Sequence, residues 1–174
     1  MMKRRVIIGI DPDVDKSGLA VVSLPEREIA LYDFTLPQMV DFFREMKANC
    51  DSEDVSYVVI VEASYLIQTN WHLSWNDSKS RAAAKGKQVG RNHEIGRQIV
   101  AFCKHLHIPY EEKRPLTKCW SGKDGKITAD ELNLLLEGTG FAPITSKTNQ
   151  EKRDAALLAL DYSNLPMRMA RKQR

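Results

Sequence analysis

Apolar and polar positions along the chain fall into runs of two different periods. Val6-Ile7-Ile8-Gly9-Ile10 is an unbroken, largely β-branched apolar run, the pattern of a buried strand, and it ends abruptly in Asp11-Pro12-Asp13. Residues 3–10 therefore read as a first strand. Residues 18–24 and 28–34 follow as two more, divided by turn residues at 13–17 and at Pro25, so the first three strands form an antiparallel meander. The period then changes. Met39, Val40, Phe42, Phe43 and Met46 recur at helical spacing over residues 36–47, behind Thr35 as a cap and Pro37 in the first turn. Tyr57-Val58-Val59-Ile60-Val61 is a fourth strand, and it too ends in an acid, Glu62. Ile95, Ile99, Val100, Phe102, Cys103 and Leu106 mark a long amphipathic helix over 89–106, before a fifth strand at 108–112. Two more helices are expected at about 128–136 and 150–162.

Three strands, a helix, a strand, a long helix, a strand and final helices predict an α/β fold. Its five-stranded mixed sheet carries helices on both faces and is not a simple alternating doubly wound fold. The 174 residues suit one ordinary domain, placed at 1–165. The last nine residues carry four basic residues and no acid, which predicts a basic tail at 166–174. Residues 64–88, with Trp71 and Trp75, read as a long loop or as the frayed start of the long helix.

Charge changes the picture more than composition does. The net charge is only +3, but acids and bases are segregated: residues 1–78 hold 7 basic and 13 acidic side chains, and residues 79–126 hold 12 and 4. The middle segment is either a phosphate-binding surface beside an acidic centre or a solvated helix face. Three cysteines at no metal-ligand spacing indicate reduced thiols. The apolar run at the N-terminus is too short and too soon capped by acid for a signal peptide, and no stretch is long enough for a membrane span. The expectation is a cytoplasmic protein that does not engage a membrane.

The acids at the strand ends acquire partners near the other end of the sequence. In Gln150-Glu151-Lys152-Arg153-Asp154-Ala155-Ala156, two acids three residues apart share one helix face, and the alanines let that helix lie close to a sheet. Asp11, Glu62, Glu151 and Asp154 brought together cannot all stay ionised without cations. Hard divalent ions with oxygen ligands are the natural partners, Mg2+ in particular. Three of these acids also have a plainer reading, Asp11 as a turn former and Glu151 with Asp154 as first-turn acids suited to a helix N-terminus; the combination with Glu62 is what points to a site. Asp13 and Asp15 read as solvated turn residues. Asp124 to Glu131 resembles the second half of a calcium loop, but Trp120 and Gly122 would stand at its first oxygen positions, so a lysine-rich turn feeding a helix is the better reading. Tyr65, Trp71 and Trp75 are either base-stacking or core and interface aromatics. His93 reads as a surface or interface group.

On Ile8-Gly9-Ile10-Asp11-Pro12 with Gly18, Val59-Ile60-Val61-Glu62, the long helix with Gly90 and Gly96, and Glu151-Lys152-Arg153-Asp154-Ala155-Ala156, the chain resembles the RuvC family of Holliday junction resolvases, within the RNase H-like nuclease superfamily. The match runs through most of the chain. The resemblance implies an RNase H-like fold and a metal-binding catalytic tetrad of Asp11, Glu62, Glu151 and Asp154, with two Mg2+ ions per site, replaceable by Mn2+. It also implies a homodimer that nicks opposing strands of four-way DNA junctions symmetrically. Asp13 after Asp-Pro, Glu151 in place of the usual Asp, and a long 64–88 segment depart from the family pattern. Arg91, Arg97, Lys118, Lys123 and Lys126 are candidates for binding the nucleic acid, Lys126 because it starts a helix where the family usually carries a basic residue. A nuclease for another structured substrate, such as an RNA-DNA hybrid or a fork, and a non-catalytic nucleic-acid-binding relative are the alternatives. An actin-like ATPase fragment is disfavoured by length and by the lack of a second Asp-x-Gly hairpin.

Overall fold

The computed structural model describes residues 4–67, 74 and 76–165. Trp71, Trp75 and the basic tail at 166–174 lie outside these residues. Five strands, β1 (Arg5–Asp11), β2 (Ser17–Leu24), β3 (Glu28–Phe34), β4 (Ser56–Glu62) and β5 (Tyr110–Lys113), form one sheet in the order β3-β2-β1-β4-β5. The meander β1 to β3 is antiparallel, and β4 and β5 join it in parallel with β1. Helices α1 (Leu36–Ser52) and α2 (Lys79–His105) cover one face; α3 (Ala129–Gly138) and α4 (Gln150–Tyr162) cover the other. This is the mixed five-stranded sheet with helices on both faces that the order of elements predicts. No helix among the described residues is long and apolar enough to cross a membrane.

Strand parity decides what reaches each face. Val6, Ile8, Ile10, Leu19, Val59 and Val61 pack against α1 and α2, while Ile7, Ala20, Val22 and Ile60 pack against α3 and α4. Successive strand residues alternate in side, so Gly9 and Asp11 share the α4 face with Ile7, and Glu62 shares it with Ile60. Both acids therefore emerge under α4, from adjacent parallel strands.

α4 lies very close to the sheet for a reason visible in the sequence. Ala155, Ala156 and Ala159 are fully buried. A Cβ on Gly9 would overlap the Ala155 carbonyl and come within 3.0 Å of the Ala159 methyl; a Cβ on Gly18, which pairs with Asp11, would overlap the Glu151 carbonyl. Glycine at these two positions is a requirement of close approach. Both ends of the helix are then pinned. Lys152 pairs with Asp33 of β3 at 2.8 Å and Asn149, the N-cap, donates to the same carboxylate at 2.7 Å, while the Arg5 guanidinium lies 5.3 Å from the Tyr162 ring centre.

Several boundaries differ from the sequence reading, α1 running on to Ser52 among them, and two of the differences have a plain physical cause. α2 starts at Lys79, ten residues early, because Ser78 caps it by accepting from the Arg81 amide and Ala82 to Ala84 are good helix formers. No residue of α2 before Gly96 is buried, so this half carries no amphipathic signal to read. The fifth strand runs from Tyr110 to Lys113 and not from 108, since His107 adopts a positive φ in the turn and Ile108 is spent on the core.

Candidate metal and nucleic-acid site

The carboxylates of Asp11, Glu62, Glu151 and Asp154 are partly buried at the C-terminal ends of β1 and β4 and the first turns of α4. They lie within electrostatic reach of one another. Burial pushes the Asp11 carboxyl well above the usual range, and repulsion from Glu62, Asp154 and Glu151 adds to it. Glu62 is pushed up to about 7, by burial first and then by Asp154. Asp154 is raised by burial, with a contribution from Glu151. Lys126 opposes all three shifts, and Lys118 opposes those of Glu62 and Asp154. Two of the five proposed basic residues thus stand beside the acids.

The donor set suits a hard cation, being all oxygen and mutually repulsive. Among the described residues, however, no three acids, histidines or cysteines stand close enough to cage an ion as they are. A closed cage is not what Mg2+ needs, because it keeps several waters and is held through one or two carboxylates together with substrate phosphate. By chemistry the residues fit such an ion, with part of its shell left to water and substrate.

Sequence reading missed the group that orients Asp154. Gln150 donates from Nε2 to Asp154 Oδ1 at 2.8 Å, and its Oε1 accepts from Arg153 Nη2 at 2.9 Å. Arg153 in turn donates to the Ile127 carbonyl at 3.0 Å and to the Thr148 carbonyl and hydroxyl at 2.9 and 3.0 Å. The i, i+4 spacing of Gln150 and Asp154 was readable as a helix pair. The partners of Arg153 depend on two loops folding back onto α4, which no local pattern encodes.

The other basic candidates lie elsewhere. Lys123 lines a cleft with Lys126. Arg91 is exposed on α2, and Arg97 is exposed with its guanidinium 4.8 Å from the Tyr65 ring centre and 4.0 Å from Glu94. Tyr65 also donates to Glu112 at 2.6 Å, so its ring is fastened between α2 and β5 and is not held out for a base. Asp13 does more than sit in a solvated turn. Its carboxylate accepts from the Asp15 amide at 2.9 Å and from Asn92 at 3.2 Å, and Asn92 accepts from the Val14 amide, which ties the β1 exit to α2. Glu131 accepts from the Ser121 and Thr128 amides at 2.9 and 3.0 Å as part of the α3 cap, so the lysine-rich turn is the correct reading there.

No family model matches the sequence, and no curated protein matches it. Among solved structures the chain is similar to Thermus thermophilus RuvC in complex with Holliday junction substrate, at 15% identity and a TM-score of 0.49, with 91% of this chain and 92% of that one covered. A second structure of Thermus thermophilus RuvC gives 16% identity and 0.47, over 91% and 93%. The Fowlpox virus resolvase in complex with Holliday junction DNA gives 12% identity and 0.45, over 90% and 95%.

Proposed function

We propose that this chain is a Mg2+-dependent endonuclease for branched DNA that resolves four-way junctions by paired symmetric nicks as a homodimer. The observation that carries the nuclease reading is the convergence of Asp11 from β1, Glu62 from β4 and Asp154 from α4, with pKa values raised by burial and mutual repulsion. Such a cluster is costly unless positive charge joins it. Four-way junctions and the dimer come from the resemblance of the motifs to RuvC resolvases.

In this reading Asp11, Glu62 and Asp154 are ligands, and Glu151 is a ligand or positions water from the first turn of α4. A divalent ion bound there supplies an activated water and stabilises the leaving oxygen in phosphodiester cleavage. The chain's own residues do the rest. α4, locked on Gly9 and Gly18, holds Asp154 over the two strand ends, and Gln150 fixes its rotamer. Lys118 and Lys126 offset the negative charge, and in this reading they hold the incoming phosphate.

Purified protein with Mg2+ is expected to cut labelled four-way junctions at symmetric positions, and Asp11→Asn to bind them while losing at least roughly a thousandfold in cleavage. Cleavage restricted to a hybrid or a fork would select the alternative substrate. If branched, duplex and hybrid substrates all stay intact, the enzyme reading is wrong.

A further inference from the structure

A cleft of about 500 Å3 opens between residues 122–129 and the first turn of α4, lined by Gln150, the hydrogen-bond partner of Asp154, and by none of the four acids. Its volume falls within the roughly 300–1,000 Å3 of small-ligand sites, enough for a phosphate with part of its sugar. Lys123, Lys126 and Arg153 line it against the single acid Asp124, and none of its lining residues is aromatic. The walls therefore suit an anion and offer a base nothing to stack on.

Arg153 is the informative residue. It is partly buried, and its four hydrogen bonds all go to neutral oxygens, of Ile127, Thr148 and Gln150. Among the described residues it has no carboxylate partner, and its four bonds leave one of its five N–H groups, on Nη2, for an anion. The cleft also communicates with the acids through two shared residues. Lys126 acts electrostatically on Asp11, Glu62 and Asp154, and Gln150 holds Asp154 with one end of its amide and Arg153 with the other.

We propose that this cleft is a second phosphate site, which seats a backbone phosphate of the bound strand neighbouring the one that faces the acids. The inference rests on the nuclease reading and adds to it where the strand runs. Occupying the cleft gives Arg153 its missing anion and sets the strand's register relative to Asp154. Lys126, at the shared wall, lies between the two phosphates. Lys123, out on the loop, touches only the second.

The test pairs a protein change with a DNA change. Binding of metal-free protein to four-way junctions is measured with each phosphate near the branch replaced in turn by a neutral methylphosphonate, for the wild-type chain and for Lys123→Ala. Lys123 is exposed, so the variant is expected to fold. In the wild type, one neutralised phosphate should cost about tenfold in affinity, the scale of a charge-assisted hydrogen bond. In Lys123→Ala the penalty at that same position should shrink to less than about threefold while the other positions keep theirs. If the two changes multiply independently at every position, the cleft is not a phosphate site, although the nuclease reading stands. If the wild-type chain binds no DNA at all, both fall.

Discussion

α4, which carries two of the four acids, and the first half of α2, a helix of the opposite sheet face, are built in opposite ways. α4 buries six consecutive residues from Ala155 to Leu160 and rests on glycines that leave no room for a methyl group. α2 buries nothing before Gly96, and a Cβ added at Gly86 or Gly90 would meet no atom within 4 Å. The first is a fixed support that holds carboxylates at a set height over the strand ends. The second is an exposed basic arm, with Lys79, Arg81, Lys87 and Arg91 turned to solvent and the first acid arriving only at Glu94. Chemistry at a phosphate needs the first kind of rigidity, whereas capture of a polyanion needs only charge within reach.

Glycine substitutions separate the two designs most sharply. Gly9→Ala should destabilise the protein by about 1–3 kcal/mol, since either α4 or β1 must move, and the displaced Asp154 should lose metal affinity as well. Gly90→Ala should instead stabilise it by roughly 0.5–1 kcal/mol through helix propensity alone. Denaturant unfolding of both variants reads the signs directly; equal effects would mean that the helices are packed alike.

The acid end should also make stability depend on pH. The folded-state pKa of Glu62 is raised from its ordinary value to about 7, so between pH ~4.5 and ~7 the folded chain keeps a proton that the unfolded chain has lost. The stabilisation is thus complete below the unfolded pKa and is lost as pH rises through the folded one; Asp11 acts in the same direction. Metal-free protein should be less stable at pH 8 than at pH 5.5 by on the order of 1–3 kcal/mol, and should melt at a correspondingly lower temperature. Glu62→Gln should flatten that profile, and Mg2+ should raise the melting temperature more at pH 8 than at pH 5.5.

The arm should show smaller effects, and only in binding. Replacing Lys79, Arg81, Lys87 and Arg91 by Gln should leave the melting temperature nearly unchanged and reduce the slope of log affinity against log salt by up to about 0.9 for each phosphate that the arm no longer neutralises. An unchanged slope would mean that the arm is a solvated face.

What the sequence made legible follows the same division. β1 and β4 could be read because both faces of each strand are buried, and the acids at their tips stood out against β-branched runs. α4 could be read because its alanines and its pair of acids at spacing three express one close-packed face. The start of α2 was hidden because a helix half that buries nothing needs no apolar period. The Arg153 to Gln150 to Asp154 chain was hidden because it depends on carbonyls at 127 and 148, brought in by tertiary folding. Asp13 looked like a departure beside the acid at the end of β1, and it is instead a tie between a turn and α2.

In the proposed reading the acids of β1, β4 and α4 act together on a divalent cation. Anomalous diffraction from crystals soaked in Mn2+ tests it most directly. Manganese is expected between Asp11, Glu62 and Asp154 in the wild type, with its loss or marked depletion in Asp11→Asn. Saturating Mn2+ that leaves this position empty, or that binds only elsewhere, would contradict it.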